Sequence, residues 1–381
     1  MTRLPVRGRF VRELEKRACA ITDPAEKLRF LRRELNSTPE PRRWRMPLKA
    51  ASFALLALGL PFAAYNGVGS PPEPLKVAAA APAVSSPSAA VAKVWLVEER
   101  AGSEFYSNGL RIERQLEVST KPRHYRALQR ASGTWVERTA PAGILFHTTE
   151  SWLAPFNADH NNAIKEAGTG ILSYVRGREL YHFVIDRFGR VFRLVVESDV
   201  AYHAGHSVWA DEQLTYLDLN NSFLAVSFEA QTEKAVPSWT AAQANAAKLL
   251  TEMLRGKYGI SAANCATHAQ VSVNPRNMLL GYHTDWAASF PFRELGLRDG
   301  YQEPIPAVAL FGFGYGGDFL TALGGQPWPG LVLAEQQLVK DAAAAGQTPG
   351  TWRRMLREKY RKTAEAARIN TAGRERTRDE S

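Results

Sequence analysis

Ala50 to Tyr65 (AASFALLALGLPFAAY) is an almost unbroken apolar run, and it divides the chain. A membrane-crossing helix needs about 20 apolar residues. The run reaches that length when Pro47 to Val68 is included and Lys49 stretches its ammonium towards the interface. Arg42, Arg43, Arg45 and Lys49 precede it, and no basic residue follows before Lys76. Positive charge stays on the cytoplasmic side of a span. The sequence therefore predicts a basic cytoplasmic tail at 1–45 and a single transmembrane anchor at 46–67, with everything later outside the cytoplasm. A cleaved signal peptide fits less well, because its charged region would be unusually long. Within the tail, Glu26 to Leu35 (EKLRFLRREL) has the apolar spacing of a short surface helix.

Beyond the apolar run, residues 68–93 are rich in Pro, Ala, Ser and Val and show no helical or strand period over most of their length. They read as an extended linker stiffened by proline. The formal net charge of +10 sits largely at the two ends, in the 42–49 segment and from Arg353 to Arg378. The middle has no comparable basic block and no nucleic-acid motif, so nucleic acid is not an expected partner. Two cysteines, Cys19 and Cys265, fall on opposite sides of the expected span, which excludes a disulfide framework. Cys265 stands three residues before His268 and reads as a small buried thiol.

From 94 to 300 the pattern is globular. Gly143 to His147 (GILFH) reads as an apolar strand ending in a polar residue. Leu180 to Ile185, a turn at 186–189, and Arg190 to Val196 read as a hairpin, and Phe223 to Ala230 as a further strand. Thr240 to Lys257 has a helical apolar face, with Ser238 or Thr240 as its cap and Gly256 or Gly259 as its end. The fold class expected is α/β, a central mixed β-sheet flanked by helices, with a transmembrane helix before it and a mostly helical extension at 301–381. In that extension Leu331 to Ala345 and Thr351 to Ala367 read as helices, Phe311 to Phe319 (FGFGYGGDF) is a glycine–aromatic run, and the charged last residues read as disordered.

The chemistry lies in the histidines. His147 closes an apolar strand, His268 follows the 240–257 helix in NCATHAQV, and Asp285 stands in GYHTDW. Two imidazoles and one carboxylate make a three-ligand zinc set that leaves a fourth position for water. Five segments in order, GILFHTTE, LYHFVIDRFGRVFRL, AYHAGHS, NSFLAVSFEA, and THAQV followed by HTDWAASFPF, resemble the type 2 N-acetylmuramoyl-L-alanine amidase family. That family also contains the amidase-type phage lysozymes and the peptidoglycan recognition proteins. The resemblance covers roughly Ala142 to Phe292, about 40% of the chain.

The resemblance implies Zn2+ held by His147, His268 and Asp285. It implies a carbonyl-assisting role for Tyr181 and a place in the substrate groove for His203. His283 falls where many members have a lysine, and it could donate to a developing oxyanion. Many bacterial members carry a glutamate on the central strand, and Ser227 occupies that place here. Glu229, two residues on, points to the same face about 6.6 Å away, which makes it the candidate general base. His268 and Asp285 stand 17 positions apart, more than the family's usual spacing, so the VNPRNML stretch at 273–279 must loop out. The activity implied is hydrolysis of the amide between N-acetylmuramic acid and L-alanine, with peptidoglycan or muropeptides as partners. Together with the anchor, this places the catalytic domain in the periplasm of a bacterial inner membrane. The alternatives are a catalytically inactive peptidoglycan-binding protein and a wall-tethering membrane protein.

Overall fold

A computed structural model of the protein describes Arg17, residues 93–232 and residues 239–379, with side chains to 367. The expected tail helix, the span at 46–67, Cys19 and nearly all of the linker lie outside the described residues. Among the described residues no helix is long and apolar enough to cross a membrane. All described residues from 93 onward belong to one compact unit, Val84–Ser381.

The chain begins with β1 (Leu96–Arg100), β2 (Ser103–Tyr106) and β3 (Arg111–Glu113), then β4 (Tyr125–Gln129), β5 (Trp135–Arg138) and β6 (Gly143–Thr148). Helix α1 (Asn161–Arg178) leads to β7 (Phe183–Ile185), β8 (Val191–Arg193), β9 (Val208–Ala210), β10 (Leu214–Leu217) and β11 (Phe223–Phe228). Then come α2 (Ala241–Tyr258), β12 (Cys265–Thr267), α3 (His268–Val271), β13 (Val273–Asn274) and β14 (Leu279–Leu280). Four helices close the chain: α4 (Pro306–Phe311), α5 (Gly317–Ala322), α6 (Pro329–Ala344) and α7 (Pro349–Asp379).

The main sheet has the order β1-β2-β3-β8-β7-β11-β6-β12, and a smaller sheet runs β5-β4-β10-β9. β6 lies between β11 and β12 and is parallel to both. Every residue of β6 and β11 is buried, which explains why both read as continuous apolar runs rather than alternating ones. Register pairs Phe146 with Val226 and His147 with Ser227. Alternation therefore sends Ile144, Phe146, Val226 and Phe228 to one face, where they form a core with Ala246, Leu250 and Leu254 of α2. His147 and Ser227 face the other side. Gly143 has no substitute in this packing, because a Cβ there would stand 2.2 Å from the Phe223 ring.

The helix expected at 240–257 is observed at Ala241–Tyr258. Thr240 and Gln243 form a reciprocal capping box, and Gly259 ends the helix in the left-handed conformation at φ 66°. The 180–196 hairpin forms with shorter strands than the sequence suggests. α7 runs on to Asp379, past Ala367, through a charged stretch that includes Ala372 and is made mostly of helix-compatible residues. α1 and the meander β1–β3 are elements the sequence pattern does not announce.

Candidate metal and active site

Parallel strands in an open α/β sheet gather their ligand-binding groups at the carboxyl ends. His147 is the penultimate residue of β6, and β12 ends at Thr267, immediately before His268. Thr267 and Gln270 form a capping box that starts α3 at His268 and fixes its backbone. The third residue arrives from the far side. Asp285 sits on the loop after β14, and its carbonyl accepts a hydrogen bond of 3.2 Å from the Ala269 amide.

These three side chains converge. Asp285 Oδ1 lies 2.8 Å from His268 Nδ1, and Oδ2 lies 3.2 Å from His147 Nδ1. One donor atom from each of the three falls within 4.8 Å of the others. The residues fit a zinc ion: two imidazole nitrogens and a carboxylate are a standard zinc donor set, and they meet in a nearly dry site. His147 is 1% exposed and His268 5%.

His203 stands behind this cluster. Its Nδ1 is 3.1 Å from His147 Nε2, and it is buried. A neutral imidazole carries one N–H and one lone pair. If Nδ1 of His147 holds a metal, the proton must be on Nε2, donated to His203 Nδ1. The buried position is one for orienting His147, and it is less suited to meeting a polymer from solvent. Burial, reinforced by the nearby His268 charge, pushes the His147 pKa down to about 4. His203 is lowered as well, by burial and by His147. Burial acts to raise Asp285, but the His268 charge and the hydrogen bonds from both ligand histidines hold it well below the usual carboxylate range. A neutral His147 and an ionised Asp285 are the protonation states that a cation requires of them.

The other expected residues divide. The Tyr181 ring centroid is 5.1 Å from that of His147. Burial and the Asp285 charge raise its phenol above its ordinary pKa, so it is a proton-bearing donor beside the cluster. His283 is exposed and stacks on His268 at 4.7 Å. Glu229 lies on the His147 face but is turned away. Its carboxylate accepts from the Arg187 amide at 3.2 Å and is surrounded by the charges of Asp186, Arg187 and Arg190. Burial raises its pKa. Cys265 is buried, with its thiol pushed up to about 12 by burial.

The sequence reading omits Trp286. It is 1% exposed, and its indole Nε1–H donates to the His147 carbonyl at 2.9 Å. The bond ties the strand carrying one ligand to the loop carrying another. The signal available was a bulky aromatic directly after the ligand aspartate.

Residues 137–285 match the family model described as N-acetylmuramoyl-L-alanine amidase. The match spans the segment that carries the converging histidines and the aspartate. No curated protein matches it. Among solved structures it is similar to the amidase AmiD from E. coli in complex with anhydro-N-acetylmuramic acid-L-Ala-D-gamma-Glu-L-Lys, at 19% identity and TM-score 0.31, covering 45% of this chain and 64% of that one. It is also similar to AmpDh3 from Pseudomonas aeruginosa in complex with anhydromuramic pentapeptide, at 20% identity and TM-score 0.31, covering 42% and 64%. The amidase LysC from Clostridium intestinale gives 20% identity and TM-score 0.27, covering 48% and 93%. The chain thus spans less than two thirds of the AmiD and AmpDh3 chains. All three metal-competent residues, His147, His268 and Asp285, lie within the matched segment.

Proposed function

We propose that this amidase domain hydrolyses the amide bond between N-acetylmuramic acid and L-alanine in peptidoglycan or its fragments, with zinc as its cofactor. The observation that carries this reading is the convergence of His147 Nδ1, His268 Nδ1 and the Asp285 carboxylate at the carboxyl ends of β6 and β12, inside the family-matched segment. Zinc held there would supply a Lewis acid and lower the pKa of water to about 7. The chain's own residues would do the rest. Tyr181, kept protonated, donates to the oxygen on which charge develops, an effect worth roughly 3 kcal/mol per donor. His283, exposed at the rim and stacked on His268, donates a second hydrogen bond or passes a proton to the leaving amine. His203 holds the tautomer and plane of His147. Tyr202 and Tyr282, exposed beside His203 and His283, offer rings to the substrate. Glu229 reaches the reaction only if it leaves the Arg187 amide.

That last feature favours a second reading, peptidoglycan binding without cleavage, since the carboxylate proposed as base is engaged elsewhere. The full chain, purified in detergent, would be assayed for bound zinc and for free lactyl carboxylates released from isolated peptidoglycan. Zinc with release, both lost in His147→Ala, supports the amidase. Zinc with wall binding but no release supports the binding protein. No zinc in the parent defeats the metal assignment.

For placement we propose that 46–67 anchors the chain in a bacterial inner membrane, N-terminus inside, with the linker carrying the amidase domain on the periplasmic side. The apolar run and the charge asymmetry around it support this. Protease accessibility of 94–381 in spheroplasts, with 1–45 protected, is the expected result. Protection of both parts would overturn it.

A further inference from the structure

We infer that the C-terminal region, which lies beyond the family-matched segment, positions the metal-ligand loop, with Tyr301 and Trp328 as its positioning residues. The inference rests on the metal-site reading above. Asp285 rides on a loop that is conformationally costly: the non-glycine residues Trp286 and Ser289 both adopt left-handed backbone, at φ 57° and 62°. Such conformations persist only where the surroundings over-determine them. Here the two carbonyls directly after Asp285 are each pinned from the C-terminal side. The Tyr301 hydroxyl donates to the Trp286 carbonyl at 2.7 Å, and the Trp328 indole N–H donates to the Ala287 carbonyl at 2.8 Å. The two rings stack with centroids 4.9 Å apart, so each holds the other in place.

The approach to the loop is tied in the same way. The Leu280 amide donates to the Gly314 carbonyl at 2.8 Å, and the Gly314 amide returns a bond of 2.9 Å to the Met278 carbonyl. Phe319 packs so closely on Gly281 that a Cβ there would stand 2.3 Å from its ring, and Gly281 is left-handed at φ 78°. Arg353 and Arg357 of α7 donate to the Gly312 carbonyl at the end of α4, which braces the segment that does the pinning. A long excursion between His268 and Asp285 would otherwise leave the third ligand on a free loop. The C-terminal region removes that freedom before any metal arrives, and pre-ordered ligands bind more tightly than ligands ordered on binding.

The test is zinc affinity of the full chain, measured by competition with a chromophoric chelator, for the parent, Tyr301→Phe, Trp328→Phe and the double variant. Phenylalanine keeps an aromatic ring at each place while removing the donor. The expected result is zinc binding weakened about 10-fold by each single change, and further in the double. Tyr106→Phe, which removes a 2.7 Å hydroxyl bond to Glu104 far from the loop, retains the parent's affinity. A purely structural role would lower the thermal midpoint of the chelated variants and leave zinc affinity unmoved, and that outcome overturns the inference alone. A parent that binds no zinc overturns the metal reading and this inference with it. If the double variant does not fold, the single variants decide.

Discussion

Two buried polar clusters in this domain follow opposite rules. In the first, Arg193 meets Glu104 at 2.5 Å, Glu197 at 3.0 Å and Glu117 at 3.1 Å. Lys257 and the Tyr258 hydroxyl add bonds of 2.8 and 2.6 Å to Glu197. Burial alone would raise Glu104, but Arg193 brings it below its ordinary value. In the second, His147 and His268 meet one carboxylate, Asp285, and His203 stands against His147. Each cluster leaves buried atoms without a hydrogen-bond partner, Arg193 Nε and Glu197 Oε1 in the first and the Nε2 atoms of His203 and His268 in the second. The first cluster neutralises itself and pins the β1–β3 meander to β8. In the second, one donor atom from each of His147, His268 and Asp285 falls within 4.8 Å of the others, an arrangement that a cation would hold together. Buried charges paired with opposite charges mark architecture, and two imidazoles and a carboxylate aimed at one point mark a site.

Substitution of one central residue in each cluster should break the comparison most sharply. His147→Ala is expected to abolish zinc binding and hydrolysis while leaving the unfolding of chelated protein little changed. Arg193→Met should do the reverse. It leaves Glu104, Glu117 and Glu197 without their shared cation, a loss typically of about 3–5 kcal/mol for a buried pair, and it should leave zinc stoichiometry intact. Urea unfolding and zinc content on the same samples decide. Retained zinc in His147→Ala would merge the two clusters into one structural class. Zinc removal is the next largest effect: at a free concentration 100 times Kd the ion stabilises the fold by about 2.7 kcal/mol. Adding zinc should give Arg193→Met the same increment as the parent, and His147→Ala none.

Acid should separate the clusters by window. The folded His147 pKa, about 4, lies below its unfolded value, about 6.5. The unfolded chain therefore takes up the proton first. The stability contributed by neutral His147 is complete above the unfolded value and is lost as pH falls to the folded one, at up to about 1.4 kcal/mol per pH unit. His182 and His203, also lowered by burial, act in the same direction. Glu104 is lowered too, but from a carboxylate's ordinary value. Its contribution is present above that value, about 4.3, and is lost only below it. In chelated protein the parent should weaken first through the upper window. His147→Gln should flatten that slope, and Glu104→Gln should alter only the steeper acid limb. A single transition unaffected by His147→Gln would refute the separation.

The second cluster was far more legible in the sequence than the first. His147, His268 and Asp285 each sit beside a recognisable local pattern, and Thr240 announces its helix through a reciprocal cap. The ion cluster has no local pattern, because Glu104, Arg193 and Tyr258 come from three separate elements and meet only in the fold. The meander was invisible for a similar reason: all five residues of β1 are exposed, so no apolar alternation marks it. α1 carries Gly168, Gly170 and Gly177 and buries only Ile164, Leu172 and Val175, a stripe too thin to read as a helix. The glycine–aromatic run at 311–319 was visible as composition, but its task was not. Phe313 and Phe319 are buried in a core shared with Ala269, Leu280 and Ala287, which flank the metal ligands.

The smallest effect tests whether the clusters are independent. A path of contacts joins them. Arg123 donates to the Glu197 carbonyl at 3.3 Å, its Nη2 lies 2.8 Å from His182 Nε2, the His182 ring is 6.0 Å from His203, and His203 meets His147. Tyr258→Phe removes one hydroxyl bond to the Glu197 carboxylate and nothing else. A hydrogen bond to a charged group contributes about 1.5–3 kcal/mol, and the lower end is expected because Lys257 still satisfies the same oxygen. Zinc affinity should not move, since the Glu197 backbone that Arg123 grips is held separately from its side chain. A fall in zinc affinity, alongside the fall in stability on urea unfolding, would show that the ion cluster sets the histidine plane through Arg123. The two clusters would then be one device with a structural end and a metal end.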